Sequence, residues 1–329
     1  MKKASLTVLV LLLAALPLVA GGQAETEMEG ASTSECSHRG DLDTQYCDED
    51  RDLLADTPAE TIDPDVLFFT YVPVEDPAVY VDMFRPFLDH MEEVTGKEIR
   101  YFSANSYAAQ VEAMRSGRLH VAGMSTGSTV FAVNLAGFIP FSIMGTADGQ
   151  YGYRLQTITH ADSDIDGLED IEGMTVAHTE EASNSGNQAP RALLPEEGLV
   201  PGEDYEVAYS GGHGSSILGV YNKDYSAAHI ASSVLDRMAD RGEVDKGDLR
   251  VLYESAAFPT TSFGYAHNLD PELKEDIEEA FLTYDFEGTA LGEEFSDVDK
   301  FIEVSYEEAW KPIRTIQEYN DVEYTRDNL

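Results

Sequence analysis

Apolar positions along this chain come in two kinds of run, and the two alternate. Val66-Leu67-Phe68-Phe69-Thr70-Tyr71 is short and almost continuously apolar, as a strand buried on both faces requires. The Pro-containing stretch Tyr71-Val72-Pro73-Val74-Glu75-Asp76-Pro77 reads as a rigid turn at its carboxyl end. From Val79 to Thr95 the apolar residues Val79, Met83, Phe84, Phe87, Leu88 and Met91 fall on one helical stripe, ended by Gly96. Ile99 to Phe102 predicts a strand, Ser106 caps a helix ending at Gly117, and Leu119 to Met124 predicts a third strand. The order βαβαβ specifies a doubly wound sheet with parallel strands.

The same grammar returns further along. Tyr151 to Thr159, Met174 to His178, Tyr205 to Tyr209, Ala227 to Ile230 and Leu249 to Tyr253 predict strands. Helical stretches at Arg191 to Leu194, Ile217 to Asn222 and Ser232 to Arg241 lie between them, and a short helix falls within Ser163 to Ile171. Ser262 to His267 reads as a returning strand, and Asp270-Pro271 opens a helix carrying Leu273, Ile277, Ala280 and Phe281. A helix from Tyr306 to Tyr319 closes the chain. At 329 residues there is room for two such α/β units with cores of their own.

Small hydrogen-bonding residues gather where strands hand over to helices. Ser125-Thr126-Gly127-Ser128-Thr129 follows the third strand, Ser183-Asn184-Ser185-Gly186 follows Met174 to His178, and Gly212-His213-Gly214-Ser215-Ser216 follows Tyr205 to Tyr209. A helix start has unpaired N–H groups and the positive end of the dipole, which suits an anion, and serine hydroxyls add donors. The same residues also make ordinary helix caps. Open α/β sheets bind ligands at the carboxyl ends of their strands, where these junctions lie. No phosphate-binding P-loop, HExxH or GxSxG motif occurs, and His213 fits a hydrogen-bond donor better than a general base. No enzyme activity, cofactor or metal is expected.

Charge narrows the partners. With 62 acidic against 21 basic residues the net charge is −41, which excludes nucleic acid and disfavours an anionic membrane surface. Such an acid excess on a chain of ordinary apolar content fits either adaptation to high salt, where repulsion is screened, or simply an acidic exported protein. Residues 1–24 read as a secretory signal, with Lys2 and Lys3 before the apolar run from Leu6 and small residues at Ala20 to Ala24. Residues 25–61 are acidic and poor in large apolar groups, the composition of a flexible leader. Cys36 and Cys47 are the only cysteines; with His38 they lack a fourth metal ligand, so a local disulfide fits better.

From Phe69 to about Ile313 the chain resembles the phosphonate/phosphate-type (PhnD-like) substrate-binding proteins of ABC importers. The marks are Tyr71-Val72-Pro73, Ser106 to Arg115, Asp164 to Gly173, Ser183 to Gly186 and Gly212 to Ile217, in that order. The resemblance implies the type II periplasmic binding protein fold: two doubly wound α/β lobes with a ligand cleft between them. Residues 62–152 and 255–329 would form one lobe and 153–254 the other. It further implies an exported monomer that captures a small phosphorus oxyanion in the periplasm and delivers it to a membrane permease. Another small anion, or a sensor role feeding a membrane kinase, are the competing readings. Carried over residue by residue, Ser183, Asn184 and Ser185 would hold the oxyanion, Tyr107, Ser125 and Thr126 would face it, and Tyr71, Tyr153 and His213 would complete the pocket. Two departures stand out: Asn184 where the family usually has Thr, and Ser226 where an aspartate is common.

Overall fold

A computed structural model describes residues 36–329, so the expected secretory signal lies outside the described residues. Two sheets carry the architecture. The first holds β1 (Val66–Thr70), β2 (Glu98–Tyr101), β3 (Val121–Met124), β4 (Phe138–Gly145), β10 (Ser262–Ala266) and β11 (Lys300–Glu303), in the order β11-β4-β10-β3-β1-β2. The second holds β5 (Tyr153–His160), β6 (Thr175–His178), β7 (Glu206–Tyr209), β8 (Ala227–Ala231) and β9 (Leu249–Phe258), in the order β7-β6-β8-β5-β9. Strands β1, β2 and β3 are parallel, as are β6, β7 and β8, matching the two βαβαβ readings. Each sheet then takes antiparallel strands: β10 lies between β3 and β4, and β5 between β8 and β9. The chain thus crosses between sheets after β4 and returns after β9.

The helices are α1 (Ala78–Met83), α2 (Arg85–Thr95), α3 (Tyr107–Arg115), α4 (Thr126–Ala136), α5 (Ala189–Leu193), α6 (His213–Tyr221) and α7 (Ser232–Asp240). They continue with α8 (Pro271–Thr283), α9 (Ala290–Glu294), α10 (Tyr306–Ala309) and α11 (Lys311–Tyr319). Among the described residues no helix is long and apolar enough to cross a membrane. Ser106, Ser125, Ser183 and Asp270 each accept a backbone N–H at a helix start, as their positions predict. The single stripe expected from Val79 to Thr95 is two helices, because Pro86 sits in the first turn of α2 and starts it afresh. Pro312 divides the last helix likewise. The pattern reading found no element in β4, which runs through Pro140, and none in β11. Strand β9 also runs on to Phe258, past the expected end at Tyr253.

The acidic leader departs most from expectation. From Cys36 onward it packs against the fold, with Leu42, Tyr46 and Ala55 buried. The Asp43 N–H donates to the Asn134 carbonyl at 2.8 Å, Tyr46 lies edge-on to His267 at 4.9 Å, and Cys36 and Cys47 form a disulfide. A few apolar anchors and one crosslink suffice where average composition reads as unstructured.

Candidate functional site

A cavity of about 290 Å³ opens between the two sheets' carboxyl ends. Tyr71, Tyr107, Ser125, Thr126, Tyr153, Ser183, Asn184 and His213 line it, so the sequence-derived set converges from both lobes except for Ser185. Ser185 is fully buried, and its Oγ meets no hydrogen-bond partner.

The two anion-type helix starts face each other here. In lobe one Ser125 caps α4, its Oγ accepting the Ser128 N–H at 3.2 Å. Trp310 Nε1–H donates to the Thr126 carbonyl at 2.9 Å and Gln317 Nε2 to the Gly127 carbonyl at 3.1 Å, so α10 and α11 strap that first turn in place. In lobe two Ser183 Oγ accepts the Gly186 N–H at 3.1 Å, and helix begins at Asn184 as a wide turn leading into α5, earlier than the expected Arg191. A Cβ on Gly127 would stand 2.1 Å from the Ala182 carbonyl and 2.8 Å from the Asn184 nitrogen. Only glycine lets the two turns meet that closely. Gly186 is equally constrained, since a Cβ there would collide with Thr179 Oγ1 at 1.9 Å; its bareness serves packing on the strand end.

Protonation is set by local partners. The Ala231 N–H donates to His213 Nδ1 at 3.1 Å, which leaves the ring proton on Nε2, and burial, aided by Arg237, lowers its pKa to about 3. His213 is therefore a neutral donor, and it is the first residue of α6, not the loop residue the sequence suggested. Its Nε2 lies 3.4 Å from Ser183 Oγ. With two donors directed at its lone pairs, the Ser183 hydroxyl is left to donate its own proton into the cavity. Asn184 Nδ2 donates to Tyr153 Oη at 3.1 Å, which frees the Tyr153 proton likewise. Burial holds the Tyr107 phenol well above its ordinary range, and its Oη is buried without a partner, as are Asn184 Oδ1 and Thr260 Oγ1. Thr126 differs: its hydroxyl donates to the Pro259 carbonyl at 2.8 Å, so only its backbone N–H remains for a ligand.

Sequence reasoning missed the groups that close the cleft. Glu180 Oε2 accepts the Tyr107 N–H at 3.0 Å across the two lobes, and burial raises its pKa to about 7. Arg237 of α7 lines the cavity, 3.4 Å from Glu75 and 3.3 Å from Glu294, with its guanidinium 4.9 Å above the Phe295 ring. Arg241 bridges the same two glutamates. The Gly214 N–H donates to the Val74 carbonyl at 3.2 Å. All are contacts between sequence-distant segments, which no local pattern announces. Val74, Met144, Val234, Phe295 and Val298 give part of the cavity an apolar wall. Ser226, by contrast, lines a separate cavity with His160, Asp162 and Lys223, so the missing aspartate there has no bearing on the cleft.

The family model described as the periplasmic substrate-binding protein of phosphonate ABC transporters matches residues 69–309. The phosphate-import protein PhnD of Mycolicibacterium smegmatis is 28% identical over 229 residues, spanning 66% of this chain and 71% of that protein. The phosphonates-binding periplasmic protein of Escherichia coli is 27% identical over 203 residues, 60% of each chain. Among solved structures, PhnD1 from Prochlorococcus marinus in complex with methylphosphonate has a TM-score of 0.69 at 14% identity, covering 79% of this chain and 99% of that one. The binding component of an ABC phosphonate transporter from Pseudomonas aeruginosa has a TM-score of 0.71 at 23% identity, covering 79% and 87%. These two likenesses establish the type II two-lobed fold.

Proposed function

The chain belongs to the family of periplasmic substrate-binding proteins of phosphonate ABC transporters, and on that premise we propose that its cleft holds one phosphorus oxyanion carrying an organic group. The observation that carries this reading is the convergence on one cavity of hydroxyl protons that no neighbouring acceptor takes. The Tyr107 phenol has no partner, the Ser183 and Tyr153 hydroxyls accept from neighbours and so keep their own protons for a ligand, His213 Nε2–H orients Ser183, and two facing helix starts flank the same cavity. An unpaired buried polar group costs about 1–3 kcal/mol, and an oxyanion satisfies several at once. Hydrogen bonds to a charged partner contribute roughly 1.5–3 kcal/mol each, enough for micromolar or tighter binding after ordering costs.

The apolar wall of Val74, Met144, Val234, Phe295 and Val298 favours a phosphonate substituent over bare phosphate. Neutral donors suit a protein of net charge −41, which repels an anion at long range and must capture it by contact. No residue in the set is poised as a nucleophile or base: His213 is a neutral donor, and the serines lack a basic partner. The ligand is bound, delivered to a membrane permease and not converted. Family membership places the protein outside the cytoplasmic membrane; the Lys2-Lys3 start and apolar run within residues 1–24 support an export signal, and the acid excess supports high salt as the working environment.

Calorimetry with methylphosphonate and with inorganic phosphate tests the proposal. One saturable site, tighter for methylphosphonate, is expected. Absence of heat with either anion overturns it, and tighter binding of phosphate overturns the role of the apolar wall.

A further inference from the structure

The segment from Cys36 to Asp56 takes no part in the cleft, yet it concentrates oxygen ligands. Asp48, Asp50 and Asp52 bring carboxylate oxygens within 4.8 Å of one another. Exposed acids do this often, but Asp48 is 0% exposed and neither of its carboxylate oxygens has a hydrogen-bond partner among the described residues. The neighbouring imidazole of His38 keeps Nδ1 3.5 Å from that carboxylate and 2.9 Å from the Asp48 carbonyl instead. A buried carboxylate left in this state, facing two others, calls for a counter-cation.

Spacing and backbone identify the kind. Counting Asp48 as the first position, carboxylates fall at the first, third, fifth and ninth (Asp56) positions, the alternation of a calcium-binding loop. The sixth position of such a loop needs a left-handed turn, normally glycine, and Leu53 holds it here with φ 72°. Its successor Leu54 occupies the seventh position, where the loop uses a backbone carbonyl. The Asp56 carboxylate turns back to accept the Glu49 N–H at 3.0 Å, and the Asp56 N–H closes the loop on the Cys47 carbonyl at 2.8 Å. The twelfth position is Ala59, so the usual bidentate carboxylate is missing and water completes the shell.

We propose that Asp48, Asp50, Asp52, Asp56 and the Leu54 carbonyl bind one calcium ion, stapling the N-terminal segment beside its disulfide. All-oxygen ligands select a hard cation, and an irregular loop suits calcium over magnesium, which demands near-ideal octahedral geometry. The sequence alone had assigned no metal.

The test titrates CaCl2 into chelator-stripped full-length protein at fixed high NaCl, by calorimetry and by melting temperature. One saturable site and a rise in Tm are expected, with MgCl2 at least tenfold weaker. Asp50→Asn, at an exposed position and so without cost to the core, should weaken calcium binding at least tenfold while leaving the metal-free Tm unchanged. Asp41→Asn, an exposed acid of the same segment outside the loop, should leave affinity intact. No saturable site, equal binding by the two variants, or an equal response to magnesium overturns the assignment.

Discussion

Replacing Ser183 and Ser185 by alanine, one at a time, separates capping from ligand capture. Ser183 Oγ accepts the Gly186 N–H at 3.1 Å and lies 3.4 Å from His213 Nε2, so it caps the helix and offers its proton to the cavity. Ser183→Ala should therefore lose about 1 kcal/mol of stability in the ligand-free protein, the usual worth of a cap. It should also lose roughly 1.5–3 kcal/mol of binding, about 10- to 100-fold in Kd, for one hydrogen bond to a charged oxygen. Ser185 does not line the cavity and its Oγ already lacks a partner, while the backbone N–H it offers survives substitution. Ser185→Ala should leave Tm unchanged or slightly higher and shift Kd by less than about threefold, since removing an unpaired polar group is near neutral or favourable. Melting curves and calorimetry with methylphosphonate on both variants give the four numbers. Unchanged Kd in Ser183→Ala, or a large loss in Ser185→Ala, would refute this geometry of the site.

Two further outcomes follow from the contact between the lobes, and a third from the net charge. Gly127→Ala places a methyl against the Ala182 carbonyl and should cost at least tenfold in affinity with little change in ligand-free Tm; wild-type affinity would show that the lobes need not meet there. Because burial raises Glu180 to a pKa of about 7, the closed form favours its protonated state, so closure weakens as pH rises from about 4.5 through 7. The ratio of wild-type to Glu180→Gln affinity, which cancels the ligand's own ionisation, should fall over that range, and a flat ratio would remove Glu180 from the closing machinery. Lowering salt from molar to tens of millimolar should depress Tm, because repulsion among a net −41 charges then reaches beyond about 10 Å; an unchanged Tm would refute salt adaptation while leaving the fold intact.

What could be read in advance was local. Caps at Ser106, Ser125, Ser183 and Asp270 were legible because a cap is decided within four residues, and the parallel strands because a continuous apolar run has few other uses. Eight of the nine candidate residues named from the family pattern line the cavity, though their bonding was not legible. That His213 is neutral depends on the Ala231 N–H, and that Thr126 has spent its hydroxyl depends on Pro259, 133 residues away. Arg237 and Glu180 stand in stretches with no motif, and their meaning arises only when the second lobe meets the first. The leader misled for the opposite reason: its average composition outweighed three apolar anchors and a disulfide.

The ion cluster of Arg237, Arg241, Glu75 and Glu294 bears on time as well as on affinity. Parting of the lobes strips Glu75 of Arg237 on α7 and of Arg241 just beyond it, while its side chain is 5% exposed. That step is slow to begin, and salt can screen the charges only once they separate. Residence time then depends in part on groups most of which never touch the ligand, an opening cost common to every ligand and added to what each ligand's own bonds contribute. A permease that pries these four side chains apart would release the cargo without competing for any bond that holds it.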